Sequence, residues 1–225
     1  MSPTKAPFDY LLNNAPMVTY VCKAYGDFGA TYVSQNIESQ LGYSPESFLN
    51  DSGFWLNNIH PEDRDRILNG LEHLFQNDRH VHQYRFKAAD GLYRWMRDQL
   101  VLVRDKTGKP WEIVGYWIDI TDLVNINESH EAIFHNVADG IILIDESCNV
   151  RAFNPIAEKL FGYSSKEVIG KNINMLMPGH HKEAHDGYVK RYLKTGEGRI
   201  IGQGSREVEA QRKDGSIIPI DLRKL

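Results

Sequence analysis

Cysteine is nearly absent from this 225-residue chain: Cys22 and Cys148 stand far apart, and no CxxC pair occurs. That excludes a disulfide framework and a thiolate zinc site, and it fits a reducing, cytoplasmic compartment. No apolar run approaches the ~20 residues that cross a bilayer, and MSPTKAPFDYLLNN lacks the charged-then-apolar order of a signal peptide. Direct membrane insertion is not expected, although a longer parent protein could be tethered. Positive charge is also short, since 26 Lys and Arg against 30 Asp and Glu leave a formal charge of -4. Such a chain offers no basic field to a phosphate backbone, which argues against nucleic acid as a direct partner. What remains, 41% hydrophobic and 25% charged residues, is an ordinary globular composition with length enough for two modest domains.

What the sequence does contain is a repeat. NIESQLGYSPESFL begins at Asn36 and NPIAEKLFGYSSKEVIG at Asn154, so that Gly42-Tyr43-Ser44 matches Gly162-Tyr163-Ser164. Each half later carries an Asp-Gly turn between strand-like runs, at Asp90-Gly91 and at Asp214-Gly215. In the first half, MVTYVCKAY and ATYVS flank the turn-prone Gly26 to Gly29 and read as a hairpin. Short helices are predicted at Ile37 to Leu41 and Pro45 to Leu49. A longer helix follows from Pro61, with acids in its first turn and Ile67, Leu68, Leu71, Leu74 and Phe75 at helical spacing. Val81 to Ala88, Tyr93 to Val103 and Trp111 to Asp119 read as three closing strands.

The second half repeats the plan, with strands from Gly140 and Val150, helices from Pro155 through Leu193, and a hairpin about Lys213-Asp214-Gly215. One further strand has no counterpart after IIPIDLRKL. Thr121 to Val137, free of Pro and Gly, reads as a helical connector whose apolar residues offer a partner surface for dimerisation.

This order of elements, with the Gly-Tyr-Ser steps, HPEDR, YRFKAADGLYRWM and the Asp119-Ile120-Thr121 ending, resembles the PAS fold twice over. The resemblance implies an α+β protein of two PAS domains, each a five-stranded antiparallel sheet with helices on one face, the second without its last strand. The expected division is 1–122, a connector over 123–137, and a second domain over 130–225.

Chemical groups are densest between Met177 and Gly215. On a helix from Glu183 to Leu193, His185, Tyr188, Val189 and Tyr192 share a face and Arg191 lies at its margin. An imidazole on an apolar face with a cation beside it suits the axial ligand of an iron porphyrin, and equally suits a histidine packed in a core. The wording HDGYVKRY and RIIGQG resembles the heme-binding PAS domain of FixL-type oxygen-sensor kinases. That resemblance implies heme b with His185 as proximal ligand, and Tyr188 and Arg191 near a propionate. Ile200 and Leu222 then belong to an apolar distal pocket, and Arg206 is the distal arginine that donates to dioxygen. Three positions depart from the family: Arg199 stands where a propionate-contacting histidine is found, one extra residue precedes Arg206, and Lys224 replaces an apolar residue.

Two functions follow. The first is a gas-sensing module regulating an output domain in cis, with a histidine kinase or a cyclic-di-GMP enzyme as parent; the second is a cofactor-free module for dimerisation or partner docking. The chain itself shows no catalytic motif. His181, Glu183 and His185 lack the metalloprotease spacing, and Gly202-Gln203-Gly204 lacks the ending of a phosphate loop. His60-Pro61-Glu62-Asp63 reads as a helix start, and Trp95, Trp111 and Trp117 as sheet-face packing.

Overall fold

The computed structural model describes residues 5–179 and 206–222, and it divides the chain into two units, 1–127 and 128–225. In the first, helix α1 (Lys5–Asn14) precedes the hairpin of β1 (Val18–Lys23) and β2 (Ala30–Val33). Four helices follow, α2 (Ile37–Leu41), α3 (Glu46–Leu49), α4 (Phe54–Asn58) and α5 (Pro61–Asn77), then β3 (Arg79–Lys87), β4 (Tyr93–Arg104) and β5 (Pro110–Asp119). The five strands make one antiparallel sheet in the order β2-β1-β5-β4-β3. The last strand thus lies at the centre beside the first, and all four connecting helices fall between β2 and β3. The antiparallel sheet and the insertion of helices between the second and third strands are as the sequence predicts; the order of strands within the sheet, α1 and α4 are not read from it.

Period-two alternation decides the buried face. On β4 it sends Met96, Leu100 and Leu102 into the core, and on β5 Ile113 and Trp117. α5 starts where HPEDR places it: His60 caps the helix by accepting from the Glu62 N–H at 3.3 Å, and Pro61 occupies the first turn, where its missing donor costs nothing. Asp63 in that turn is buried against Arg85 of β3, accepting from its backbone N and Nε at 3.0 Å each and from Nη2 at 3.1 Å. A forked guanidinium pair of this kind fixes both distance and angle.

In the second unit, α6 (Thr121–Asn136) crosses the division between units and buries none of its residues; Leu123, Ile126 and Ile133 are all exposed. β6 (Ile142–Ile144) and β7 (Val150–Phe153) form a hairpin, followed by α7 (Pro155–Phe161), α8 (Ser165–Val168) and a 3₁₀ turn over Ile173–Leu176. β8 (Arg206–Gln211) and β9 (Ile217–Leu222) form a second hairpin. Val150, Phe153, Phe161, Val168 and Leu176 build the core, with Ile218 and Ile220 packed on it.

The repeat is physical as well as textual. Asn36 gives its amide to the carbonyls of Ala15 and Met17, and Asn154 gives its own to those of Phe134 and Asp139. Gly42 and Gly162 end α2 and α7 with φ of +77° and +75°, the left-handed region that favours glycine. One residue before each, a carbonyl accepts from the later Asp-Gly hairpin: Leu41 from the Ala89 N–H, Phe161 from the Lys213 N–H, each at 2.9 Å.

Candidate functional site

Of the residues that the FixL-type resemblance singles out, His185, Tyr188, Arg191, Arg199 and Ile200 lie outside the described residues, as does Lys224. Arg206 opens β8, and Leu222 closes β9 directly opposite it in the ladder. Leu222 continues the alternation of Ile218 and Ile220, which pack on the core, and is itself 40% exposed at the strand end. The residue types that the resemblance names, an imidazole, arginines and apolar side chains, suit an iron porphyrin, which needs a nitrogen ligand, cations at its propionates and hydrocarbon over its faces.

The first unit holds a polar centre that was not anticipated. Asp98, on the inner face of β4 and 1% exposed, accepts from Tyr20 Oη at 2.7 Å on one carboxylate oxygen. Its other oxygen accepts from Tyr84 Oη at 3.0 Å and lies 3.2 Å from His82 Nε2. The register explains the convergence: His82 and Trp117 flank Asp98 on β3 and β5, while Tyr20 and Tyr84 reach it diagonally. Trp55 of α4 donates to Tyr84 Oη at 2.9 Å, so a hydrogen-bonded chain ties the helices to the sheet. Burial first, and the Asp98 charge second, push both phenols well above their ordinary pKa, so each remains a donor.

Beside this centre lies a cavity of about 210 Å³ between helices and sheet, walled by Phe48, Leu71, Leu100 and Ile113 and reached by Tyr20, Asp98 and Trp117. Two matches to known families decide what kind of unit encloses it: the PAS fold matches residues 30–117 and, separately, residues 128–224. The chain belongs to the PAS fold family. It is 31% identical over 176 residues to Sensor protein FixL of Bradyrhizobium diazoefficiens, covering 75% of this chain and 35% of that protein. Over 79 residues it is 47% identical to Oxygen sensor protein DosP of Escherichia coli, covering 35% of this chain and 10% of that one. It thus spans about a third of the first relative's length and a tenth of the second's. Among solved structures, the N-terminal domain of a diguanylate cyclase with PAS/PAC sensor from Marinobacter aquaeolei is similar at 26% identity. That likeness covers 48% of this chain and 98% of that one, at a TM-score of 0.43.

Within the first PAS domain, Cys22 also lines the cavity, and burial together with the nearby Asp98 pushes its thiol up to about 12, so it stays protonated at neutral pH. Gly115 is the register partner of Tyr20, and a Cβ there would run into the phenol ring. Trp117, read from sequence as sheet-face packing, is a cavity wall. Trp111 is half exposed and pairs with Tyr25, and the Arg85 guanidinium lies over the ring of Trp95. The missed signal was parity: Asp98 shares the even positions of Met96, Leu100 and Leu102, so β4 could only bury it. Among the described residues no helix is long and apolar enough to cross a membrane, and no cluster of three or more His, Cys, Asp or Glu could hold a metal ion.

Proposed function

We propose that this tandem PAS chain is the sensory part of a larger cytoplasmic signalling protein, and that its second domain binds heme b to sense dioxygen or another diatomic gas. The likeness to FixL over 75% of the chain carries this reading, and the likeness to a protein named as an oxygen sensor strengthens it. When bound, heme b supplies an iron centre that takes a diatomic gas. His185 would hold the iron through its imidazole; Tyr188, Arg191 and Arg199 would pair with the propionates; and Ile200 and Leu222 would keep water from the bound gas. Arg206 would be the donor to the gas, a guanidinium whose charge-assisted hydrogen bonds favour a polar ligand. The output domain in cis is a histidine kinase or a cyclic-di-GMP enzyme.

The chain acts as a homodimer through α6. Leu123, Ile126 and Ile133 are exposed at spacings of three and seven residues, the pattern of a coiled-coil seam.

The test is reconstitution with hemin. A Soret band at one heme per chain, which responds to dioxygen and carbon monoxide and disappears in His185→Ala, is the expected result. Absence of the band in the unaltered protein would leave the cofactor-free interaction module, and an unchanged ferrous spectrum in His185→Ala would move the ligand to another imidazole.

A further inference from the structure

We propose that the first PAS domain is a proton-responsive element: three histidines pack as neutral rings at the seam between α5 and the edge strand β3, and mild acidification, by charging them, opens that seam. The three imidazoles form a row. The ring centroid of His73, in the next-to-last turn of α5, lies 6.0 Å from that of His80 on β3 at an interplanar angle of 27°. His80 lies 5.1 Å from His82, nearly edge-on at 87°. His73 is exposed, His80 half-buried and His82 buried, so the row leads from solvent to the inner face of the sheet.

This seam has little means of accepting added charge. His80 is pressed on the helix backbone at Gly70, where a Cβ would come within 3.0 Å of its Nε2, so water cannot surround the ring on that side. The groove about the row is lined besides by Arg66, Asn69, Val81 and Gln83 and carries no carboxylate among the described residues. Arg66 adds a fixed positive charge and pairs with Asp63 at 3.4 Å. Glu72 precedes His73, but successive residues of a helix do not face each other. Asp78, between α5 and β3, is already paired with Arg104 at 2.8 Å.

The carboxylate that does face the row is Asp98 of β4, 3.2 Å from His82 Nε2, and it already accepts from Tyr20 of β1 and Tyr84 of β3. An ionised carboxylate only accepts, so His82 directs Nε2–H at it and leaves Nδ1 bare. That Nδ1 is buried without a hydrogen-bond partner among the described residues, and a proton added there would find no acceptor. At His80, burial first and then repulsion from His82 and His73 hold the imidazole below its ordinary 6.5, outweighing the opposite pull of Asp98.

A histidine held below its ordinary pKa binds fewer protons in the closed seam than in the open one. Its contribution to closure is therefore complete above about pH 6.5 and is lost as the pH falls below that value. The clasp of Asp63 and Arg85 at the start of α5, with its carboxyl held at about 2, keeps its charge throughout this window. β3 is the outer strand of the sheet, bonded to β4 alone, so its first half can loosen without unzipping the rest. Opening is then confined to the last two turns of α5 and to Arg79 through Gln83.

Hydrogen exchange of the full chain, followed peptide by peptide from about pH 7.5 to about pH 5 and corrected for intrinsic rates, tests this. Protection over residues 70–83 should fall about tenfold or more, the scale of repulsion between like charges at these ring separations under surface screening. Protection of β1 and β5 should hold. His80→Gln should remove most of the fall and His73→Gln part of it, with protection at neutral pH retained. Should His80→Gln fail to fold, imidazole titrations of the unaltered chain by two-dimensional NMR decide, with His80 expected below 6.5 and the amides of β3 shifting with it. Protection independent of pH would overturn the proposal. So would a fall spread evenly over the sheet, a fall that survives His73→Gln combined with His80→Gln, or a His80 that titrates at or above 6.5. All readouts lie in the first domain, so heme loading of the second can fail or succeed without touching them.

Discussion

At Asp98 a sheet that could have been filled with hydrocarbon accepts a carboxylate instead, because His82 stands opposite it on β3, Tyr84 reaches it diagonally from the same strand, and Tyr20 reaches it from β1 across Gly115 of β5. Asp98→Asn keeps the shape but turns an NH₂ toward hydrogen-bond donors, so the first domain should lose about 2 to 3 kcal/mol. The four tryptophans, Trp55, Trp95, Trp111 and Trp117, all lie in that domain. Urea unfolding followed by tryptophan fluorescence therefore reads this loss directly, and an unmoved midpoint would mean that the donors find other partners. In the second domain the informative single residue is Arg206. On the heme reading proposed above its guanidinium would donate to a polar gas and gain little from carbon monoxide, so Arg206→Ala should weaken dioxygen binding about tenfold to a hundredfold, on the basis of ~1.5–3 kcal/mol for a charged hydrogen bond. Carbon monoxide binding should change far less. Flash photolysis and stopped-flow with both gases measure the ratio, and equal losses would assign the donor to Arg199 or Lys224.

Among the elements, α5 is held at its start by charge and along its length by hydrocarbon. Burial alone would raise the carboxyl of Asp63, but the side-chain and backbone donors of Arg85 outweigh it and hold the group at about 2, against an ordinary 3.8. A depressed carboxylate stabilises the fold fully above its ordinary pKa and loses that contribution as the pH falls through the folded value. The thermal midpoint read by tryptophan fluorescence should thus fall between about pH 4 and pH 2, and Asp63→Asn should be lower at neutral pH and flatter across that window. For α6, Leu123→Glu with Ile133→Glu should convert a dimer to a monomer in light scattering, while circular dichroism shows the fold retained. These elements differ in how far the sequence discloses them. The strands, the Asn36 and Asn154 repeats and the helix start at His60 could be read in advance because local chemistry alone specifies them: alternation, a proline after a cap, a glycine at a helix end. α4 could not, since FWLNN has neither length nor periodicity. Nor could the site around Asp98: parity along β4 marks the carboxylate as inward-facing, but its partners come from β1 and β3, and local sequence does not specify the register that brings them together.

At the scale of the whole molecule, each domain has a hydrophobic core of its own among the described residues. Ligand binding stabilises by mass action only the cooperative unit that binds. Hemin should therefore raise the unfolding midpoint of the second domain, followed by hydrogen exchange in β8 and β9, while the tryptophan-detected midpoint of the first stays where it is. His185→Ala should abolish the former shift and leave the latter untouched; a tryptophan midpoint that follows heme would mean one cooperative unit. The paired asparagines, finally, decide where this chain can be cut. Asn154 is wholly buried and gives both amide hydrogens to carbonyls upstream of its own hairpin, one of them on the preceding helix. A fragment that starts at the first strand of the second domain would leave that amide with nothing to receive its hydrogens, and one that starts after Met17 would do the same to Asn36. Any recombination event that transplants one of these domains into another protein must carry its lead-in segment along, so the inherited unit begins upstream of its sheet, ahead of Ala15 in one half and of Phe134 in the other.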